Sequence, residues 1–360
     1  MRGAILHNVH DAELEIRDDI ELVRAVGPGE VHVRIRATGI CHSDLSAIDG
    51  VLPAPAPCIL GHEASGDVLA VGAGVTSVQV GDKVILCLIP PCGRCRFCLG
   101  NQANLCDSVV NPFDTEPLYA VGDTVLSSLG GISSWVEEAI LPEQGVIRID
   151  PAVPYDVAAI VGCAVTTGVG AVINSAKLAP GSTVAVYGCG GVGMSVIQGA
   201  RLAGAAEILA IDFSQGKLDL ARKLGATHVA KPKDATEVGD QIHGGVGFDV
   251  TFEAIGRAAT IRDAYDSARR GGMTIVVGAG GMEDMVEFSA FELFFFERTL
   301  KGSVYGSADV RRDFPLLLDL WRAGRLDLDA LVTRHAGLDD INDCLTAMRQ
   351  GDEVRQVIEF

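Results

Sequence analysis

The sequence predicts an α/β chain of two units, a β-rich first stretch and a doubly wound parallel sheet, on three observations. A glycine run, Gly188-Cys189-Gly190-Gly191-Val192-Gly193, sits between an apolar stretch and a segment of helical spacing. After it, apolar strands and helix-period segments alternate, as crossover connections require. Before it, to about residue 150, short alternating stretches are broken by Gly and Pro, and no helical period of any length appears until about 154–162.

A chain of 360 residues holds about two domains with ample core. The net charge of −18 argues against nucleic acid or an anionic membrane surface as partner, because phosphates are repelled. No uninterrupted apolar run reads as long enough to span a bilayer. The opening residues MRGAILHN soon turn acidic and do not read as a signal peptide. The expectation is a cytoplasmic chain, in which ten cysteines point to metal more than to disulfides.

In the first stretch, 31–36 alternates as a half-buried strand should, and 64–71 and 83–88 read as further strands. Cys92, Cys95, Cys98 and Cys106 follow within 15 residues. Four thiolates can close a tetrahedron around Zn²⁺ with no open position, which is a structural site. An iron–sulfur cluster uses the same donors, but nothing else in the sequence suggests electron transfer. Cys41, His62 and Cys163 lie in the segments GICHSD, GHE and VGCA. Taken singly, each also reads as a core residue: two small buried thiols and a satisfied histidine.

The glycine run carries more information. It follows a strand at 183–187 and opens a helix at 191–203. The first glycine permits a tight turn, the second lets backbone approach a pyrophosphate, and the third lets helix pack on strand. The helix N-terminus then faces the phosphates. A second strand, 207–211, ends at Asp212, which lies 19 residues beyond Gly193. An acid there suits the free ribose hydroxyls of NAD and repels the 2′-phosphate of NADP. Further strands read at 227–230, 248–253, 273–277 and 299–304, and helices at 214–224, 234–243 and 258–270. The tail reads as helices at 309–322, with Pro315 as a kink, and 339–350.

Taken together, GICHSD, GHE, the four-cysteine loop, GCAVTTG at 162–168, GCGGVG at 188–193, Asp212 and the closing VRQVIEF carry a resemblance over nearly the whole chain. The chain resembles the zinc-containing alcohol dehydrogenases of the medium-chain dehydrogenase/reductase superfamily. The resemblance implies a GroES-like catalytic domain at 1–164 and 305–360 around an NAD-binding Rossmann domain at 165–304. It implies two zinc ions per chain, with Cys41, His62 and Cys163 as the catalytic set and a fourth position open. Asp44 would orient His62, and Glu63 would be an acid able to approach the metal. His42, Thr167, Gly188, Gly190, Gly191, Val192, Gly193, Asp212, Lys217, Ile255, Arg257, Val277, Ala279 and Arg355 match cofactor-contact positions. Leu88, Trp135 and Val304 would wall the substrate pocket, with the loop 107–134 as its lip.

The implied activity is hydride transfer between an alcohol and NAD, with a primary medium-chain or aromatic alcohol as expected substrate. Ser43 resembles the first hydroxyl of a proton relay. Ser46 stands where many relatives carry a histidine, so the relay is expected to run from Ser43 through the nicotinamide ribose to water, with His42 as a helper. A glutathione-dependent formaldehyde branch has an acidic stretch after the first zinc ligand, replaced here by Ile48-Asp49-Gly50-Val51-Leu52-Pro53. Alternatives are an aldehyde reductase, a disproportionating relative that retains its nicotinamide, and a non-catalytic zinc- and nucleotide-binding homologue. Phe291 and 293–296 form an apolar patch that the resemblance places at the interface of a homodimer, or of a tetramer built from it.

Overall fold

Eleven residues in extended conformation, Glu30–Ile40, form the spine of the first of two units into which the chain divides. That unit comprises Met1–Cys163, Asp309–Arg322 and Leu328–Phe360, and the second comprises Ala164–Ala308 and Ala323–Asp327. The computed structural model describes residues 1–107, 117–128, 132–351 and 353–360, so much of the expected loop 107–134 lies outside the described residues.

In the first unit the spine lies inside a seven-stranded sheet, paired with Glu63–Val71, Glu138–Pro142 and the C-terminal strand Arg355–Glu359. Two register shifts along its pairing with Glu63–Val71, at His32/Val33 and Ile35/Ala37, bring Gly39 opposite Glu63. Bulges of this kind re-aim side chains near functional sites. The tail returns as a strand against Gly39 and Ile40. A second sheet of six short strands includes Gly3–Leu6, Cys58–Ile59 and Thr124–Ser128. Its core holds Ile5, Leu6, Ile59, Tyr119 and Trp135, all buried.

The short helix His42–Ile48 is a departure from the expected all-β start. Seven residues offer too little periodicity to reveal it. Cys41 opens it as N-cap, and Asp44 in its first turn accepts the main-chain N–H of Cys41.

The second unit is a six-stranded parallel sheet. Its strand order is His228–Ala230, Glu207–Ile211, Thr183–Tyr187, Phe248–Glu253, Ala268–Val276 and Thr299–Gly302. Thr183–Tyr187, the first in sequence, lies centrally, with the chain winding outward to either side, which is the doubly wound order. The helices Gly191–Ala203, Gln215–Leu224, Ala235–His243 and Ala258–Ser267 fall within the segments expected from the sequence.

A continuous helix, Tyr155–Ala176, carries the chain from one unit into the next, with π-helical turns at Val161–Val165 and Ala171–Ala176. Its most apolar 18-residue window has a mean hydropathy of 1.9, so it is long and apolar enough to cross a membrane. This corrects the expectation that no such run exists. Small and apolar residues fill it because 89% of that window is buried inside the protein, as in a core helix.

Trp135, expected at the substrate pocket, is fully buried in the first unit's core. Trp135→Ala should therefore destabilise the protein by about 3–5 kcal/mol, measured as a lowered denaturant midpoint at unchanged slope. A loss below about 1 kcal/mol would place the ring outside the core.

Candidate metal centres and nucleotide site

Two donor clusters stand out in the first unit. In each, the donor atoms lie within 4.8 Å of one another. The first is Cys92, Cys95, Cys98 and Cys106. Its loop turns its own main-chain N–H groups onto the sulfurs. Cys92 N–H donates to Cys106 Sγ at 3.2 Å, Cys95 N–H to Cys92 Sγ at 3.4 Å, and Cys98 N–H to Cys95 Sγ at 3.5 Å. Such donors stabilise thiolates, and those from Cys98 and Asp107 pull Cys95 down to about 6. Burial pushes Cys98 up to about 12. Four convergent sulfurs fit a closed zinc site.

The second cluster is Cys41, His62, Glu63 and Cys163, all buried. They come from different devices: Cys41 caps the short helix, His62 follows a positive-φ glycine, Gly61, just before the strand that Glu63 begins, and Cys163 sits in a π-helical turn. Irregular turns of this sort are frequent at functional sites. Asp44, fully buried, accepts from Cys41 N–H, Gly61 N–H and His62 Nδ1, at 3.1, 3.1 and 3.0 Å. That leaves His62 Nε2 buried with no hydrogen-bond partner. An orphaned imidazole nitrogen beside two thiols is what a metal ligand set requires, and the carboxylate fixes the tautomer.

The electrostatics agree. Burial opposes a charged His62, but the charges of Asp44 and Cys41 outweigh it and raise its pKa well above the ordinary value. The bond with Cys163, then the charges of His62 and Arg355, draw Cys41 well below the thiol range, while the same bond and burial push Cys163 well above it. A bound cation would favour the thiolate form of both.

Arg355 is the residue expected at the pyrophosphate. It is buried, donates to Ile40 O at 2.9 Å and lies 3.3 Å from Glu63 Oε1. Glu63 occupies space that Gly39 vacates, since a Cβ at Gly39 would lie 2.1 Å from its Oε2. Burial pushes Glu63 up to about 7 against the pull of Arg355. The sequence carries no signal for this pair, because the two residues are brought together only by sheet register. Ser43 Oγ lies 3.6 Å from Cys41 Sγ and is half-buried, while His42 is exposed. Leu88 is half-buried against the first unit's core.

In the second unit the glycine run keeps its expected geometry. A Cβ at Gly193 would fall 1.8 Å from Gly188 O, one at Gly190 would meet nothing within 4 Å, and Gly188 takes φ of +92°. The third glycine is therefore forced by packing, and the space over the second is free for a ligand's phosphates at the start of Gly191–Ala203. Asp212 Oδ2 accepts Cys189 N–H at 2.8 Å and Oδ1 accepts Ser214 N–H at 2.9 Å. This acid therefore shapes the run as well as standing beside it. Lys217 and Val277 are half-buried, Ile255, Arg257 and Ala279 are exposed, and Val304 is 53% exposed. Thr167 is buried in Thr166–Gly170, next to Gly168, whose missing Cβ admits Val192 O and Ser195.

A GroES-like zinc-site unit and a doubly wound nucleotide unit define a zinc-binding dehydrogenase. Residues 27–152 match the alcohol dehydrogenase GroES-like domain, and 191–322 match the zinc-binding dehydrogenase family. The S-(hydroxymethyl)glutathione dehydrogenase of Escherichia coli is 38% identical, over 92% of this chain and 93% of its own length. Alcohol dehydrogenase class-3 of Cereibacter sphaeroides is 36% identical, over 95% and 96%. The benzyl alcohol dehydrogenase structure from Acinetobacter calcoaceticus superposes with a TM-score of 0.91 at 30% identity, over 100% and 99%. This chain belongs to the zinc-containing alcohol dehydrogenase family.

Both clusters should fill with zinc, two ions per chain by elemental analysis. Cys95→Ser should lower the melting temperature, because an all-thiolate site contributes folding energy directly. Cys163→Ser should abolish turnover while leaving the melt near wild type. One ion or none per chain in fresh wild-type protein would contradict this assignment.

Proposed function

We propose that this protein is an NAD-dependent zinc alcohol dehydrogenase that oxidises a primary alcohol, medium-chain or aromatic, to the aldehyde. The observation that carries the reading is the buried Cys41, His62 and Cys163 set with His62 oriented by Asp44 and its Nε2 unpartnered. The first unit is the catalytic domain, and the second, with Asp212 behind its glycine run, is the NAD domain. Bound at these sites, zinc supplies a Lewis acid for the substrate oxygen, and the nicotinamide accepts the hydride.

The chain's own residues do the rest. Asp44 holds the His62 ring, and Arg355 holds the Glu63 carboxylate beside the ligand set. Ser43 accepts the alcohol proton and passes it outward. Thr167 meets the nicotinamide, and Leu88 lines the substrate's path. Asp212 takes the adenosine ribose, with Lys217, Ile255 and Arg257 near it, and Val277 and Ala279 follow the strand that meets the carboxamide.

A second reading follows the E. coli relative, whose name specifies a glutathione adduct. The stretch 48–53 carries one acid, Asp49, and its carboxylate is already paired with Arg349 at 2.6 Å. That favours a free alcohol. Steady-state NADH formation with benzyl alcohol, a series of primary alcohols, and formaldehyde with glutathione separates the two. The simple alcohols should lead; a strict requirement for glutathione would overturn the first reading.

The four residues of Thr299–Gly302, the edge strand of the second unit, are all exposed, and Phe291, Leu293, Phe294 and Phe295 are exposed before it. An open strand edge beside an apolar patch of this size favours pairing with a second copy. The proposed state is a homodimer, checked by light scattering. None of the ten cysteines forms a disulfide, which suits a reducing cytoplasm.

Two further outcomes follow. Ser43→Ala should lower kcat by about 10²–10⁴-fold with both zincs retained, whereas Ser46→Ala should change little, since a serine at that outer position cannot act as the relay's terminal base near neutral pH. A large loss in Ser46→Ala alone would reverse the assignment. Asp212→Ala should weaken NAD and narrow its preference over NADP; wild-type protein using NADPH as well as NADH would contradict the role of Asp212.

A further inference from the structure

Glu253 ends the strand Phe248–Glu253, opposite Tyr187 in the strand that leads into the glycine run. Its side chain is fully buried. A buried carboxylate is unfavourable unless its oxygens are hydrogen-bonded, and here the bonds converge on one atom. Oε1 accepts the N–H of Ile255 at 3.0 Å, the N–H of Gly256 at 2.8 Å and the hydroxyl of Thr260 at 2.6 Å. Its other oxygen is buried with no hydrogen-bond partner. The same residue's carbonyl accepts the N–H groups of Val277 and Gly278, at 2.8 and 3.0 Å. One residue therefore fixes the loops that follow two neighbouring strands.

These loops have no slack against the glycine run. A Cβ at Gly188 would lie 2.6 Å from Ile255 Cγ1. One at Gly278 would lie 2.1 Å from Gly256 N, and one at Gly256 would lie 2.6 Å from the Ala279 carbonyl. Gly256 also takes φ of +87°, a conformation open to glycine that a side chain would strain. On the other side of Thr183–Tyr187, Asp212 performs the matching task, tying Cys189 N–H to the end of Glu207–Ile211. The run is thus clamped by two carboxylates, one open toward a ligand and one internal.

We propose that Glu253 is a positioning residue for the dinucleotide cradle, holding the turn at 255–256 so that the glycine run keeps its phosphate-binding shape. It touches no cofactor and acts through Ile255 and Gly256. This rests on the reading that the second unit binds NAD.

The experiment uses full-length, zinc-loaded protein and measures NADH affinity by fluorescence titration, alongside zinc content, melting temperature and the separate kcat and KM for NAD. Glu253→Ala should weaken NADH about tenfold or more, as loss of a buried charged acceptor implies. It should raise KM for NAD far more than it lowers kcat and keep both zincs. Glu253→Gln, which retains an acceptor oxygen, should restore NADH affinity to within about threefold of wild type. Thr260→Val, a milder removal of one donor, serves if Glu253→Ala does not fold; it should weaken NADH about threefold. Folded Glu253→Ala or Thr260→Val binding NADH as wild type does would overturn the proposal. A wild type that binds no NADH at all would instead defeat the reading of the unit.

Discussion

The first unit depends on the carboxylate of Asp44. Three donors from two chain segments meet on it: Cys41 N–H, Gly61 N–H and His62 Nδ1. It fixes where the short helix starts, how the strand Glu63–Val71 is entered, and which imidazole nitrogen is left over. A fully buried charge of this kind is tolerable only when its bonds are complete. The sheet register adds Glu63 at Gly39, and the C-terminal strand adds Arg355 behind it. The metal-ligand set is therefore a product of the sheet and not of a local loop. In the four-cysteine site the sequence spacing alone brings the donors together.

The second unit repeats the same physics with different residues. Acids at the ends of two strands, Asp212 and Glu253, collect main-chain N–H groups on either side of the strand that leads into the glycine run. Buried or half-buried acceptors of this kind are stiff, because each bond lost leaves a donor unsatisfied. A pyrophosphate site needs that stiffness, since its contacts are main-chain groups at a helix start.

Much of this was legible in the sequence, and the limits have physical causes. The parallel sheet was readable because each strand is a short apolar run followed by a periodic helix, and the glycine run because its third glycine is forced by contact with Gly188. The four cysteines were readable because they are close in the chain. Cys41, His62 and Cys163 are joined by tertiary structure, so residue chemistry alone left each one ambiguous, and the family resemblance was needed to connect them. Arg355 and Glu63 pair through strand register, which no local pattern encodes. Trp135 reads as a wall or a core residue equally well until its burial is seen. Glu253 had a signal that could have been used: an acid closing the mostly apolar strand FDVTFE, just before a glycine turn.

The central claim is that Asp44 makes the buried Cys41, His62 and Cys163 set a metal site by orienting His62. Asp44→Asn tests it directly, by zinc analysis of each protein during timed dialysis against a chelator. Losing such a carboxylate partner typically weakens metal binding by about 10–100-fold. The variant should lose one zinc quickly and keep the other, held by the four cysteines, with its secondary structure intact. A folded Asp44→Asn protein that holds both zincs as firmly as wild type would contradict the account.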